Sequence, residues 1–274
     1  KTAYEMLRSL VGSEMCIRDR AIRDIDSSAK FIGFGGDRMI AQNMIPLADM
    51  NEMSVVGFWE VAKKFNYFLD LLRKAEELFR YEKFDAVILI DYPGFNIKLA
   101  RFAKKYNLKV IYYIAPQLWA WGSKRVKKLI GNVDLILCVF PFENDYFKRF
   151  GINAKFVGHP LLDEKIFQEK ILSYEERNDI IALMPGSRFQ EIKNHLTIFK
   201  EISNRFISKH SNFKIAISLP EFLSKVDLKQ YFQDYLFFED ARQMMKISKV
   251  GLIKTGTSTL EATLLGLPFA MIYK

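Results

Sequence analysis

Val250-Gly251-Leu252-Ile253-Lys254-Thr255-Gly256-Thr257-Ser258-Thr259-Leu260-Glu261 is an apolar strand that empties into small hydroxyl residues and a glycine, and then into a helix. A junction of this kind aims several backbone N–H groups at one point, which suits a diphosphate. Glu261 follows within the first turns of the helix. Its carboxylate can accept hydrogen bonds from a sugar hydroxyl while the helix N-terminus holds phosphate oxygens. Gly256, Thr257, Ser258 and Glu261 therefore suggest a nucleotide-sugar pocket, although the same residues also suit an ordinary Thr/Ser helix cap.

Upstream, short apolar runs alternate with longer segments of helical period, the pattern of βαβ units and a mostly parallel sheet. Strands are expected over 31–34, 86–90, 110–114, 135–139, 155–157, 180–184, 214–218, 235–238, 250–253 and 269–273. Most are continuous rather than alternating, as strands covered on both faces should be. Helices are expected over 57–80, 100–106, 144–150, 191–208 and 257–265, the first with an apolar stripe on one face. Residues 163–179 are polar and charged after the turn Gly158-His159-Pro160, and read as a linker. The expected organisation is an uncertain leader over 1–30, an N-terminal domain over 31–162, and a C-terminal domain over 180–274. Residues 10–20 lack periodicity and read as a cloning or assembly junction. Both ends read as breaks in a longer chain.

At 274 residues, half of them apolar and 14% aromatic, the chain can bury a large core. Its net charge of +9 favours anionic partners. Two cysteines, Cys16 and Cys138, exclude a disulfide framework, and Cys138 sits in an apolar run as a small hydrophobe. No apolar run is long enough to span a bilayer. Gly33-Phe34-Gly35-Gly36 does not complete the dinucleotide fingerprint, no G-x-x-x-x-G-K-[ST] is present, and no Cys/His/Asp spacing resembles a metal site. Neither a metal nor a cofactor is expected.

In parallel α/β sheets ligands bind beyond the carboxyl ends of the strands, so the strand-to-helix loops are the site candidates. Asp91 in Ile90-Asp91-Tyr92-Pro93-Gly94-Phe95-Asn96 closes a buried strand. Partly walled by Tyr92 and Phe95, its carboxyl would have a raised pKa and act as a general base on a sugar hydroxyl, or else cap a turn. In Met184-Pro185-Gly186-Ser187-Arg188, the guanidinium of Arg188 offers a fixed fork of donors for a diphosphate leaving group. Trp119-Ala120-Trp121, followed by Lys124, Arg125, Lys127 and Lys128, suits sugar stacking, an acylated phosphate headgroup or nucleic acid, or simple packing. His159 could hydrogen-bond a phosphate or polar headgroup. The helix 57–80, flanked by Lys63, Lys64, Arg73 and Lys74, could rest on an anionic membrane or serve only to cover a sheet.

In their order and spacing these pieces resemble the lipid-A-disaccharide synthase family. The resemblance rests on Gly35-Gly36 with Met39, Val56-Gly57-Phe58-Trp59-Glu60-Val61, the Asp91 loop, Trp119-Ala120-Trp121 and Phe140-Pro141-Phe142-Glu143. It continues through Phe156-Val157-Gly158-His159-Pro160, Pro185-Gly186-Ser187-Arg188 and Gly256-Thr257 with Leu260-Glu261. It implies an α/β fold of two facing Rossmann-like domains of the GT-B type, the second incomplete. It also implies inverting transfer of diacylglucosamine from UDP to diacylglucosamine 1-phosphate, with Asp91 as base and Ser187, Arg188, Gly186 and 256–258 on the diphosphate. Glu261 would bind ribose or uracil-side hydroxyls. The implied partners are those two glycolipids, with peripheral contact to an anionic inner membrane from the cytoplasmic side, a homodimer in the full-length protein and no nucleic acid. The family's Gly-Glu-x-Ser-Gly-Asp loop is not found in 1–30, Thr255 stands where serine is commoner, and Gly94 where many members carry Asp. Rival functions are another UDP-sugar transferase or epimerase, or a basic RNA- or membrane-binding module.

Overall fold

The computed structural model describes residues 21–35, 37–41, 43–49, 60–186, 189–218 and 234–272, apart from the side chains of 37, 38, 49, 60–66, 121, 189–191, 193 and 194. Residues 10–20, 56–59, Ser187 and Arg188 lie outside the described residues. The chain divides into two compact units between Pro160 and Leu161.

The first unit contains β1 (Ile32–Gly35), α1 (Asp37–Ile40), β2 (Ile45–Asp49), α2 (Glu60–Tyr81), β3 (Ala86–Ile90), α3 (Pro93–Lys105) and β4 (Lys109–Tyr113). The short helices α4 (Leu118–Trp121) and α5 (Ser123–Val126) follow, then β5 (Leu135–Cys138), α6 (Pro141–Lys148) and β6 (Ala154–Phe156). β3 to β6 form a parallel sheet in sequential order, and β1 and β2 form a separate parallel pair. Side chains alternate across β3: Leu89, with Val87 beside it, enters one core, while Ile90 and Ile88 join Met39 and Met44 on the opposite face. Burial on both faces explains the unbroken apolar runs. α2 is amphipathic as expected, with Leu71, Leu72 and Ala75 buried and Phe68 and Phe79 packed against the same core. Cys138 is buried, and burial pushes its thiol up to about 12.

β2 was not among the expected strands; it carries Pro46 inside Ile45-Pro46-Leu47-Ala48-Asp49, and proline weakens the strand signal of a segment. Among the described residues this segment pairs only with β1, and an edge strand tolerates a proline. α3 and α6 begin earlier than expected, at Pro93 and Pro141. Proline at the first helical position loses no hydrogen bond and has its φ already set, so here it starts a helix rather than ending one.

The second unit contains a 3₁₀ turn (Pro160–Asp163), α7 (Lys165–Gln168), β7 (Asn178–Met184), α8 (Phe189–Ile207), β8 (Lys214–Ser218), β9 (Leu236–Phe238), α9 (Ala241–Ile247), β10 (Ser248–Lys254), α10 (Thr257–Leu264) and β11 (Phe269–Ile272). Its five parallel strands run in the order β11-β10-β7-β8-β9. Ile181 and Leu183 pack on one face with Ile192 and Phe199 of α8. Ile180 and Ala182 pack on the other with Met244 and Met245 of α9 and Ala262 of α10.

Residues 163–179, read from composition as a linker, hold Arg177, only 4% exposed. Its guanidinium donates to the carbonyls of Leu172, Met245, Lys246, Ser248, Leu265 and Gly266 at 2.7–3.3 Å. Four of these close the C-terminal ends of α9 and α10, where carbonyls lack helical partners and the helix dipole is negative. Charge that reads as a solvated connector is thus partly interior. Among the described residues, no helix is long and apolar enough to cross a membrane.

Candidate active site

In the second unit, β7 leads outward to β8 and β9 in one direction, while β10 and β11 extend the sheet in the other. The strand order reverses between β7 and β10, and ligands of open parallel sheets bind at such a switch point. Met184 and Ile253 are paired neighbours across it. The segments at the ends of these strands, 185–186 and 254–257, therefore leave the sheet side by side. Gly186 has φ 129°, a conformation side-chain-bearing residues rarely adopt. Thr255 is tied to the end of β11, its N–H and hydroxyl both donating to Ile272 O at 2.9 and 3.0 Å. Gly256 occupies the N-cap of α10, leaving that helix without a side-chain cap, as an anion site requires. The Thr259 hydroxyl donates back to Gly256 O at 2.7 Å and fixes the turn.

Glu261 is buried, and its Oε1 accepts from Arg242 Nε at 2.9 Å. Arg242 also pairs with Glu164 and lies over the Phe167 ring, 5.3 Å from its centroid. Burial raises the Glu261 carboxyl, opposed by the adjacent Arg242 charge. Glu261 is thus held by an arginine that sequence reading did not single out. The available signal was Asp240, whose side chain accepts from the N–H groups of Arg242 and Gln243 and starts α9.

In the first unit, Asp91 directly follows β3 with φ 43°, and Tyr92 comes next with φ 43°. Two consecutive non-glycine residues in the left-handed region carry about 1–3 kcal/mol of strain each, tolerated where the surroundings fix them. Here they are fixed from three sides. The Asp91 N–H donates to Tyr113 O at 3.2 Å. The buried Asn96 Nδ2 donates to Ile90 O at 2.9 Å and to Asp91 O at 2.7 Å, and the buried Tyr112 hydroxyl donates to Asp91 O at 2.5 Å. Tyr92 stacks on Phe95, with Phe68 and Phe34 packed against the same rings. Burial raises the Asp91 carboxyl to about 6, against a hydrogen bond from the Tyr92 backbone. A carboxylate of this kind is a competent base near neutral pH. Asn96 and Tyr112, which hold the Asp91 backbone, were not legible as partners before the fold was known.

His159 follows β6 and is half-buried, its ring 5.7 Å from that of Phe140, and burial lowers its pKa. Asp91, Trp119 and His159 thus occupy loops at the carboxyl edge of the first sheet, and Gly186, Gly256, Thr257, Ser258 and Glu261 occupy that of the second. Among the described residues, no group of three or more His, Cys, Asp or Glu could hold a metal ion.

The two parallel sheets covered by helices, with candidate ligand loops at their carboxyl edges, give the chain the α/β architecture of the GT-B class of folds. The S. aureus MnaA–UDP complex is similar with TM-score 0.62 and 13% identity, over 97% of this chain and 76% of that one. Methanocaldococcus jannaschii UDP-GlcNAc 2-epimerase, solved with UDP-GlcNAc and UDP, is similar with TM-score 0.59 and 15% identity, over 96% and 80%. The chain belongs to the lipid-A-disaccharide synthetase family, whose model matches residues 9–274, and it is accordingly a glycosyltransferase of lipid A biosynthesis. It is 33% identical to the lipid-A-disaccharide synthase of Nitrosococcus oceani, over 93% of this chain and 69% of that relative. It is also 33% identical to lipid-A-disaccharide synthase 2 of Legionella pneumophila strain Lens, over 99% and 73%.

Proposed function

We propose that this protein transfers 2,3-diacylglucosamine from its UDP carrier to the 6-hydroxyl of 2,3-diacylglucosamine 1-phosphate, with inversion, forming the β-1,6 disaccharide and UDP. The observation that carries the reading is Asp91, a half-buried carboxyl raised to about 6 and held in a strained turn at the sheet edge. In the displacement, Asp91 takes the proton of the acceptor hydroxyl as its oxygen bonds to C1 of the donor. The C1–O bond to the diphosphate breaks, and UDP departs with the electron pair. Gly186, Ser187, Arg188 and the start of α10 bind the diphosphate and stabilise the charge that develops on it. Glu261 accepts hydrogen bonds from the ribose.

Incubation with both glycolipids in detergent micelles is expected to yield UDP and a β-linked disaccharide by mass spectrometry and NMR. Epimerisation of the sugar without a disaccharide would replace this reading with the epimerase one. Arg242→Gln removes the counter-charge that Glu261 and Glu164 share. UDP binding, measured by calorimetry, is expected to weaken about tenfold or more, the scale of one charge-assisted hydrogen bond. Unchanged UDP affinity would take Glu261 out of the nucleotide site.

A further inference from the structure

A row of rings in the first unit has no part in the reaction derived above. Trp119 meets Phe142 edge to face with centroids 5.0 Å apart, Phe142 stacks on Phe140 at 6.0 Å, and Phe140 lies beside His159. Trp119 is 39% exposed and Phe142 50%. The rings stand on the loops after β4, β5 and β6, which follow in order from the β3 loop that carries Asp91. Neighbouring strands lie about 4.8 Å apart, so the row starts one strand away from the base.

The indole is deliberately held. Trp119 Nε1 donates to Oε1 of Glu143 at 3.1 Å, while Oε2 accepts the N–H groups of Val139 and Phe140 at 3.2 Å. Glu143 is wholly buried, and burial raises its carboxyl. Its contacts with Val139 and Phe140 cap α6, and the third fixes an exposed ring, which packing alone does not need. Two residues beyond Trp121, α5 and the turn after it present Lys124, Arg125, Lys127 and Lys128, all exposed. None of the four has an ion pair among the described residues. Fixed aromatic faces, with uncompensated cations a few residues further along the chain, complement a ligand that is at once apolar, sugar-like and anionic.

We propose that this row is the acceptor subsite: the Trp119 and Phe142 rings carry the sugar and the first carbons of its acyl chains, Lys124 and Arg125 hold its phosphate, and Glu143 positions the indole. The inference rests on the transferase reading above, and its test does not depend on turnover. Binding of radiolabelled 2,3-diacylglucosamine 1-phosphate in neutral detergent micelles is measured without donor, alongside UDP affinity. Trp119→Ala and Phe142→Ala are each expected to weaken glycolipid binding about tenfold with UDP affinity unchanged, and Glu143→Gln by about threefold. Lys124→Gln with Arg125→Gln is expected to weaken binding of the phosphorylated lipid about tenfold but not that of its 1-hydroxy analogue.

Normal glycolipid binding by folded Trp119→Ala and Phe142→Ala proteins would overturn the proposal. So would an equal loss of binding to phosphatidylglycerol micelles, which marks a general membrane-adhesive patch. If the wild type bound the glycolipid through these residues yet formed no disaccharide, the transfer reading would fall and the subsite would stand.

Discussion

Asp91→Asn is expected to abolish turnover while making the protein more stable at neutral pH. As a general base, Asp91 contributes about 10²–10⁴-fold to the rate, and an amide cannot take its proton. The stability change follows from the same burial. The carboxyl titrates at about 6 in the fold, against an ordinary value of 3.8. Below pH 3.8 both states are protonated and the substitution is neutral. Between 3.8 and 6 the fold retains a proton that the unfolded chain has released, so stability falls as pH rises. Above 6 the full penalty is present, and the two values convert to about 3 kcal/mol. Asn removes that penalty and tolerates a positive φ. Chemical denaturation at pH 4 and pH 8 should show the variant gaining only at pH 8, while wild-type kcat/KM falls below about pH 6 on the acid limb. A variant no more stable than wild type at pH 8 would mean that Asp91 is not desolvated. Residual activity near the wild-type level would mean that it is not the base.

Arg177→Met is expected to destabilise the second unit by about 3–5 kcal/mol, the scale of removing one partner from a buried charged network. Six carbonyls lose their donor at once, among them those closing α9 and α10. Arg177→Lys should recover only part, because an ammonium has three donors and no planar fork to span two helix ends. All three tryptophans lie in the first unit, so their fluorescence reports the other half of the chain. Hydrogen exchange of the β7 and β10 amides is the direct measurement. Protection there should collapse while the fluorescence transition in urea stays in place. Unchanged exchange would mean that water replaces the guanidinium at little cost.

Strands covered on both faces were legible because they need no alternation, only a run of β-branched and aliphatic residues; β3 and β8 have the expected bounds. β2 was hidden by Pro46, and the starts of α3 and α6 by Pro93 and Pro141, since proline marks an edge, a break or a helix start according to context. Asp91 stood out because an acid directly after an apolar strand lies at the sheet edge where ligands bind, although its sequence suits a turn cap equally well. What holds it could not, because Asn96 and Tyr112 reach it through tertiary contacts. Arg177 lay in a segment read as a polar linker and Arg242 was not singled out, and only the fold brings each to groups distant along the chain, as it brings Glu143 to the Trp119 indole.

The strand reversal between β7 and β10 also sets the order in which the second unit can mature. Helix α8, β8, β9 and α9 are all synthesised between the two central strands. A nascent chain emerging from the ribosome therefore has no neighbour to zip onto that side of β7 until β10 appears. Until then an apolar edge stays open, and this slow, non-local closure keeps the growing polypeptide from bringing the loops of the switch point together before both central strands have been made.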